Sequence, residues 1–216
     1  MLNSICVFDF ETTGLSPHTD HVTEIAAVRL RNGREVGSFH TLVNFGGEVP
    51  AFITEMTGIT TELCTQGLAP RTAFALLRNF IGTDTLIAHN AAFDVAYLEQ
   101  MYARLGATSG VANNFLCTKT LAVAVLPGVR SQGVNPKNGK PLGPYTLVNL
   151  CLLLEIELSG AHRAMNDVRA TAKLLACLTA AEAPEAVTAL LNHCGMGPRH
   201  YAQTGLPSHA IALIQS

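Results

Sequence analysis

The sequence predicts an α/β fold, and two observations support this prediction. Segments with strand character come first, helical periodicity dominates the second half of the chain, and strand and helix alternate in between. Hydrophobic residues make up 48% and charged residues 14% of the 216 residues, a composition typical of one compact core.

The strands are predicted from short apolar segments. Residues 4–10 and 23–30 are strand-like, and an Asn-Gly pair at 32–33 predicts a hairpin turn into a returning strand at 35–43. Three strands joined by short turns predict an antiparallel ribbon at the start of a mixed sheet. A short apolar run at 85–88 predicts a further, buried strand.

Helices follow from apolar residues at a spacing of three and four. Asn90 is expected to cap a helix that ends near Leu105, with Phe93, Tyr97 and Met101 on one face. Helical periodicity also occurs at 71–81, 118–126, 145–154, 166–180 and 184–193. Residues 127–144 interrupt it with a basic stretch rich in proline and glycine, which is either a functional loop or a solvated insertion.

Charge and segment composition restrict the class of protein. The formal net charge is −2, so any grip on nucleic acid is expected to be local rather than spread over a basic face. No apolar run is long enough to span a bilayer, and the first residues do not resemble a signal peptide, which favours a cytoplasmic protein that does not bind membranes. The six cysteines lack metal-binding spacing and are expected to be small buried hydrophobes.

The first acidic feature is the segment VFDFETTG at the end of the first strand. Residues two apart on a strand project from the same face, so Asp9 and Glu11 point together while Phe8 and Phe10 pack on the other side. Two neighbouring carboxylates on an apolar strand repel each other, and a hard divalent cation would compensate that charge. The alternative is a strand end solvated by water. Thr12 and Thr13 then offer polar groups suited to a nucleotide.

The second feature is HNAAFD, where a buried strand delivers His89 and Asn90 to its end. Asp94 lies one turn into the next helix, and from there its carboxylate can fold back over the ends of the strands. Its simpler role would be to favour the positive end of the helix.

The third feature is HRAMND. On one ideal helix His162 and Asp167 would face different ways. They converge only if His162 lies in a loop and the helix starts near Asn166, which is a suitable N-cap. A histidine in such a loop can take a proton from water. By itself, His162 could equally be an ordinary surface histidine.

Together and in this order, the three segments resemble the motifs of the DEDDh 3′–5′ exonucleases, the family of the DNA polymerase III epsilon subunit, RNase T and exonuclease X. The resemblance spans residues 5–175 and implies a ribonuclease-H-like fold, a mixed five-stranded sheet flanked by helices. It implies an exonuclease domain over 1–180, with 181–216 as a helical extension and tail packed on the same domain.

The resemblance also implies the roles of the acidic residues. Two divalent cations, Mg²⁺ or Mn²⁺, would be held by Asp9, Glu11, Asp94 and Asp167, and His162 would act as the general base. His89 is a rival base whose simpler role is a structural hydrogen bond.

Substrate contacts are expected near the same strand ends. The segment TGIT at 57–60 is similar to a loop that this family places against the terminal nucleotide. Residues expected to contact the nucleotide or its bases are Phe10, through its main chain, and Thr12, Thr13, Thr57, Gly58, His89, Asn90 and Phe93.

The expected reaction is release of nucleoside 5′-monophosphates from a nucleic acid 3′ end. Single-stranded DNA is the favoured substrate, with RNA 3′-end trimming as the alternative. A proofreading or interaction subunit of a replicase is a further alternative, since QTGLP at 203–207 faintly resembles a sliding-clamp-binding segment. A nucleic-acid-binding domain without catalysis is the remaining one.

Overall fold

A computed structural model describes residues 4–107, 110–135 and 139–180 of the chain. Within these residues the strands form one five-stranded sheet in the order β3-β2-β1-β4-β5. The strands are β1 (Ser4–Thr12), β2 (Val22–Arg31), β3 (Arg34–Leu42), β4 (Thr85–Ala88) and β5 (Phe115–Cys117). The first three pair antiparallel, whereas β4 pairs parallel with both β1 and β5, so the predicted mixed sheet is confirmed.

Helices cover both faces of this sheet. They are α1 (Ala51–Thr57), α2 (Thr61–Thr65), α3 (Pro70–Ile81), α4 (Ala91–Arg104), α5 (Thr118–Val125), α6 (Leu147–Leu153) and α7 (Ala164–Ala180). The layer of α3 and α4 packs on one face, and α5, α6 and α7 pack on the other. None of the helices among the described residues is both long and apolar enough to cross a membrane.

The alternation along β1 determines which layer each of its side chains meets. Phe8 and Phe10 belong to the core under α3 and α4, as predicted, while Ile5 and Val7 belong to the core under α5, α6 and α7. Since side chains along a strand alternate between its two faces, Asp9 and Glu11 lie on the same face as Ile5 and Val7. The first two carboxylates therefore face the layer that contains α7.

The hairpin predicted at the Asn-Gly pair is present. Asn32 and Gly33 both have positive φ angles, 50° and 75°, as the tight turn between two antiparallel strands requires. Pattern analysis missed three short elements, α1, α2 and β5. The strand β5 has only three residues and α2 has five, too few to show a periodicity.

The helix α4 buries a slightly different face from the predicted one. Val95 and Leu98 are buried, as are Tyr97 and Met101, while Phe93 is only half-buried. The cysteines also need one correction. Four of them are buried, but Cys177 is exposed on α7 because its position faces away from the sheet, and Cys194 lies outside the described residues.

Candidate active site

The site lies where β1 extends beyond the end of its parallel neighbour, β4. The two strands pair only from Ile5 to Val7 on β1, and β4 ends at Ala88, so β1 continues alone on that side to Thr12. The first turn of α4 takes the place of the missing strand. The main-chain N–H of Phe10 donates a hydrogen bond to Oδ1 of Asp94 at 3.2 Å. The carboxylate of Asp94 thus folds back over the strand ends, as the sequence predicted.

Asn90 makes this approach possible through its main chain. It stands at the N-cap position of α4 in the left-handed conformation, with φ 71°, and its side chain makes no capping hydrogen bond. The expectation of side-chain capping by Asn90 is therefore wrong. The left-handed turn is what directs the chain from the end of β4 into the helix, a conformation that asparagine tolerates better than most residues.

The third motif meets β1 from the opposite layer. Metal-ligating atoms of Glu11, His162 and Asp167 all lie within 4.8 Å of one another. His162 is in the loop before α7 with φ 67°, and its N–H donates a hydrogen bond to Oδ2 of Asp167 at 2.9 Å. The predicted convergence of the two motifs is confirmed.

The predicted start of α7 is wrong by two residues. The helix begins at Ala164, and its first backbone hydrogen bond runs from Asp167 N to Arg163 O at 3.2 Å. Asn166 is already inside the first turn, and its side chain donates to the carbonyl of Gly160 rather than capping the helix. His162 still reaches the site because its left-handed conformation turns the loop, so the convergence does not depend on a late helix start.

Glu24 is a carboxylate at this site that the sequence analysis overlooked. It lies on β2 directly opposite Glu11 and only 1% of it is exposed. Its carboxylate accepts hydrogen bonds from Arg163, from the main-chain N–H of Ala164 and from His40. A single acidic residue within the apolar segment VTEIAAV was the available signal, because a buried charge requires partners.

The electrostatics of the site favour a cation. Burial, with the charges of Asp94, Glu11 and Asp167, raises the pKa of Asp9 well above its usual range. Burial also raises the pKa values of Glu11 and Asp94 to about 8, and that of Asp167 to about 6. Arg163 counters part of this charge at Glu11. Buried carboxylates that repel each other this strongly fit hard divalent cations, which take oxygen ligands.

His89 is held by two hydrogen bonds away from this cluster. Its Nε2 lies 3.0 Å from the carbonyl oxygen of Tyr145, so Nε2 carries the proton, and its Nδ1 accepts from the hydroxyl of Thr118 at 2.9 Å. Burial lowers the pKa of His89 to about 4. With both ring nitrogens engaged, His89 links the end of β4 to α5 and to the segment before α6, which is the structural hydrogen bonding that the sequence analysis gave as its simpler role.

The loop after Glu11 is held in place by α4. The hydroxyl of Thr12 donates to the carbonyl of Gly14 at 2.6 Å, and the hydroxyl of Tyr97 donates to that same oxygen at 2.9 Å. Thr13 accepts a hydrogen bond from the main chain of His21. Both threonine side chains thus shape the loop beside the carboxylates.

The TGIT segment uses its threonine internally. The hydroxyl of Thr57 donates to the carbonyl of Ile53 and accepts from the N–H of Ile59, and Gly58 ends α1 in the left-handed conformation. The side chain of Thr57 is therefore engaged within its own turn. Phe93 is half-buried, and its ring packs at 5.0 Å from that of Tyr97, which leaves part of the ring on the surface.

The basic stretch at 127–144 is tied to the rest of the domain over its described residues. The hydroxyl of Tyr145 donates to the carbonyl of Leu126, and the side chain of Asn149 bonds the main chain at Arg130, Gln132 and Pro144. The buried Asn149 therefore anchors both arms of this stretch to α6.

A five-stranded mixed sheet with acidic side chains gathered at one strand end agrees with the ribonuclease-H-like fold that the sequence predicted. Residues 6–175 match the exonuclease family known as RNase T. The chain belongs to this family, which confirms its assignment to the 3′–5′ exonucleases that carry the DEDD motifs.

Two relatives are DNA polymerase III enzymes of the PolC type. The protein of Oceanobacillus iheyensis is 32% identical over 219 residues, or 99% of this chain and 14% of that protein. The protein of Bacillus subtilis is 33% identical over 209 residues, or 96% of this chain and 14% of that protein. The chain thus spans about one seventh of the length of these relatives.

The structural likeness extends to a nuclease with bound DNA. Exonuclease I of E. coli, in complex with a dT13 oligonucleotide, superposes with a TM-score of 0.72 at 22% sequence identity. The match covers 88% of this chain and 44% of that one. This likeness is one of fold, and it agrees with the ribonuclease-H-like architecture predicted from the sequence.

Proposed function

We propose that this protein is a metal-dependent 3′→5′ exonuclease that releases nucleoside 5′-monophosphates from the 3′ end of single-stranded DNA. The meeting of Glu11, His162 and Asp167 within 4.8 Å carries this proposal. These side chains come from distant parts of the sequence, and a cluster of buried acids is costly unless a cation compensates its charge.

Asp9, Glu11, Asp94 and Asp167 would hold the metal, as two Mg²⁺ or Mn²⁺ ions. Such cations, when bound, neutralise the phosphate and the charge that develops on the attacking and leaving oxygens. The chain itself fixes the positions of the acids. Asp94 is oriented by the N–H of Phe10, and Asp167 by the N–H of His162. Both carboxylates are therefore placed before any substrate arrives.

His162 is suited to act as the general base. It is exposed, so its imidazole can reach water next to a bound phosphate, and a positioned imidazole is the most common general base in enzymes. Its main-chain N–H is held by Asp167, which fixes the position of the residue beside the acids. His89 is only partly exposed, and both of its ring nitrogens are engaged in hydrogen bonds.

The open edge of β1 is where the terminal nucleotide would lie. In a strand the N–H and C=O of one residue point to the same side, so the carbonyl of Phe10 faces the open edge beside Asp94. It can accept a hydrogen bond from the terminal 3′-hydroxyl. The main chain of Thr57 and Gly58 and the exposed part of Phe93 and Asn90 would contact the sugar and base.

Single-stranded DNA is favoured over RNA because structurally similar proteins bind single-stranded DNA. Structurally similar exonuclease I has been solved with dT13 and dA16 oligonucleotides and in a zinc-bound complex with single-stranded DNA. The net charge of −2 suits a site that grips a few nucleotides next to the metal. A DNA substrate would also agree with a cytoplasmic location, and RNA trimming is the competing activity.

The decisive experiment is degradation of single-stranded DNA, duplex DNA and RNA oligomers of one sequence, each labelled at the 5′ end. We expect a ladder shortened from the 3′ end, strongest on single-stranded DNA and abolished by EDTA. Asp9→Asn should remove the activity and leave the melting temperature at or above that of the parent. Cleavage that persists in Asp9→Asn would overturn the proposed site, and faster cleavage of RNA would overturn the proposed substrate.

Proofreading beside a polymerase is a second candidate, favoured by the alignment of nearly the whole chain with PolC-type polymerases. It predicts faster removal of a mismatched than of a matched primer end, and binding to a replicative polymerase or sliding clamp. The segment 203–207 and the proposed extension 181–216 lie outside the described residues. We propose that residues 1–180 form the nuclease domain.

A further inference from the structure

The buried Glu24 has an unusually complete set of hydrogen-bond donors. Its Oε1 accepts from Nη2 of Arg163 at 2.9 Å and lies 2.7 Å from Nε2 of His40. Its Oε2 accepts from the main-chain N–H of Ala164 at 2.9 Å and from Nε of Arg163 at 3.4 Å. The two-pronged contact with Arg163 fixes orientation as well as distance.

The two residues that Glu24 holds come directly after His162. Arg163 supplies the carbonyl that accepts the first backbone hydrogen bond of α7, and Ala164 is the first residue of that helix. Since His162 precedes them in a left-handed conformation, its position is set by where Arg163 and Ala164 are anchored. Glu24 itself lies opposite Glu11 in the register of β1 and β2. One carboxylate therefore ties the start of α7 to the strand pair that carries the acids.

We propose that Glu24 is a positioning residue of the nuclease, which anchors the main chain at 163–164 and so holds His162 and Asp167 against Glu11. This inference rests on the proposed function. Glu24 does not need to touch substrate or metal, because its hydrogen-bonding capacity is directed at Arg163, Ala164 and His40. The proposal adds a residue outside the sequence motifs that defined the site.

The test compares Glu24→Gln and Glu24→Ala with a matched control. Glutamine keeps one oxygen for Ala164 N–H but places an amide against donors of Arg163, whereas alanine removes the anchor. A displacement of about 1 Å costs on the order of 10²-fold in rate. We expect kcat to fall by about 10²-fold in Glu24→Ala and by about tenfold in Glu24→Gln, with KM for a labelled oligonucleotide within about threefold of the parent.

Asp84 provides the control because it is also a buried carboxylate bound by two arginines. It accepts from Arg29 at 2.7 Å and from Arg31 at 3.0 Å, and it lies just before β4, at the opposite end of the sheet from the site. Asp84→Ala should lower the melting temperature without a comparable loss of kcat when assayed below its melting temperature. Hydrogen exchange should speed up at 160–167 in Glu24→Ala and remain as in the parent there in Asp84→Ala.

These measurements distinguish a failure of the proposed function from a failure of the positioning role of Glu24. If the parent protein does not degrade any oligonucleotide with Mg²⁺ or Mn²⁺, the proposed function is wrong. If the parent is active and Glu24→Ala keeps kcat within about threefold, or loses no more than Asp84→Ala does, the positioning role is wrong. A kcat lost in Glu24→Ala and partly kept in Glu24→Gln, with unchanged KM and faster exchange at 160–167, supports it.

Discussion

We expect the metal-free protein to become less stable as the pH rises from 6.5 to 8, and divalent cations to cancel this loss. Burial raises the pKa values of Glu11 and Asp94 to about 8. In the unfolded chain both groups are ionised above about pH 5.5, whereas the folded protein retains proton on them until the pH approaches 8. The folded state thus binds more protons, and linkage makes its stability fall as the pH rises through this window.

The lower limit of the window is set by His89. Burial lowers its pKa from 6.5 to about 4, so below pH 6.5 the unfolded chain binds a proton there that the folded protein does not. That difference makes stability rise with pH and opposes the effect of the acids. As the pH rises above 6.5 the unfolded chain also loses this proton, so the opposing contribution of His89 fades across the window while that of Glu11 and Asp94 persists.

The size of the effect follows from the number of protons retained. Each proton held by the folded state and not by the unfolded one changes the free energy of unfolding by about 1.4 kcal/mol per pH unit. Because Glu11 and Asp94 share one cluster of charge, we count one proton for the pair. A change of 1 kcal/mol shifts the melting temperature of a domain of this size by about 2–4 °C, so we expect a fall of about 3–6 °C per pH unit.

The assay is thermal unfolding between pH 6.5 and 8, in EDTA and in saturating Mg²⁺. Mg²⁺ should raise the melting temperature more at pH 8 than at pH 6.5, since it binds the ionised acids. Asp94→Asn should flatten the slope in EDTA. Asp84→Asn should leave it unchanged, because hydrogen bonds and the charge of Arg29 keep the pKa of Asp84 below its usual value despite burial. A metal-free melting temperature that stays constant or rises over this window would refute the reasoning.

Three further predictions concern single substitutions. His162→Ala should lower kcat by roughly 10²–10⁴-fold in steady-state cleavage assays, while His89→Ala should keep most of its turnover and have a lower melting temperature. The reverse pattern would assign the general base to His89. Gly67→Ala should lower the free energy of unfolding by about 1–3 kcal/mol in urea titrations, because a Cβ there would lie 2.4 Å from a carbonyl of β3. An unchanged unfolding midpoint would contradict that clash. Arg104→Ala should raise KM more than it lowers kcat, because Arg104 donates hydrogen bonds to main-chain carbonyls of the loop 14–20 beside Glu11. An unchanged KM would show that this loop does not contribute to substrate binding.

The sequence was most informative where the pattern is local. Two-residue alternation placed Asp9 and Glu11 on the face opposite Phe8 and Phe10, and the Asn-Gly pair predicted the hairpin. The helices α3 to α7 were found to within a few residues. The strand β5 and the helix α2 were missed because three and five residues carry too little periodicity, and α1 was missed because it buries only Ile53 and Thr57.

Contacts between distant segments depended on the tertiary structure. The approach of Asp94 to Phe10 was predicted in direction, but the hydrogen bond exists because β4 ends early and leaves the edge of β1 open. Cys177 was expected to be buried because its neighbours are apolar, yet its position on α7 faces outward. The hydroxyl of Thr57, expected at the nucleotide, is used inside its own turn.

The sequence by itself determined the class of fold and the order of the acidic motifs, since both are written in residue spacing along the chain. Only the tertiary structure showed what brings His162 to Glu11. The start of α7 crosses β2, and there Glu24 binds Arg163, a residue 139 positions later. No local pattern encodes that contact, because a buried carboxylate acquires its partners only when the two layers pack together and exclude water.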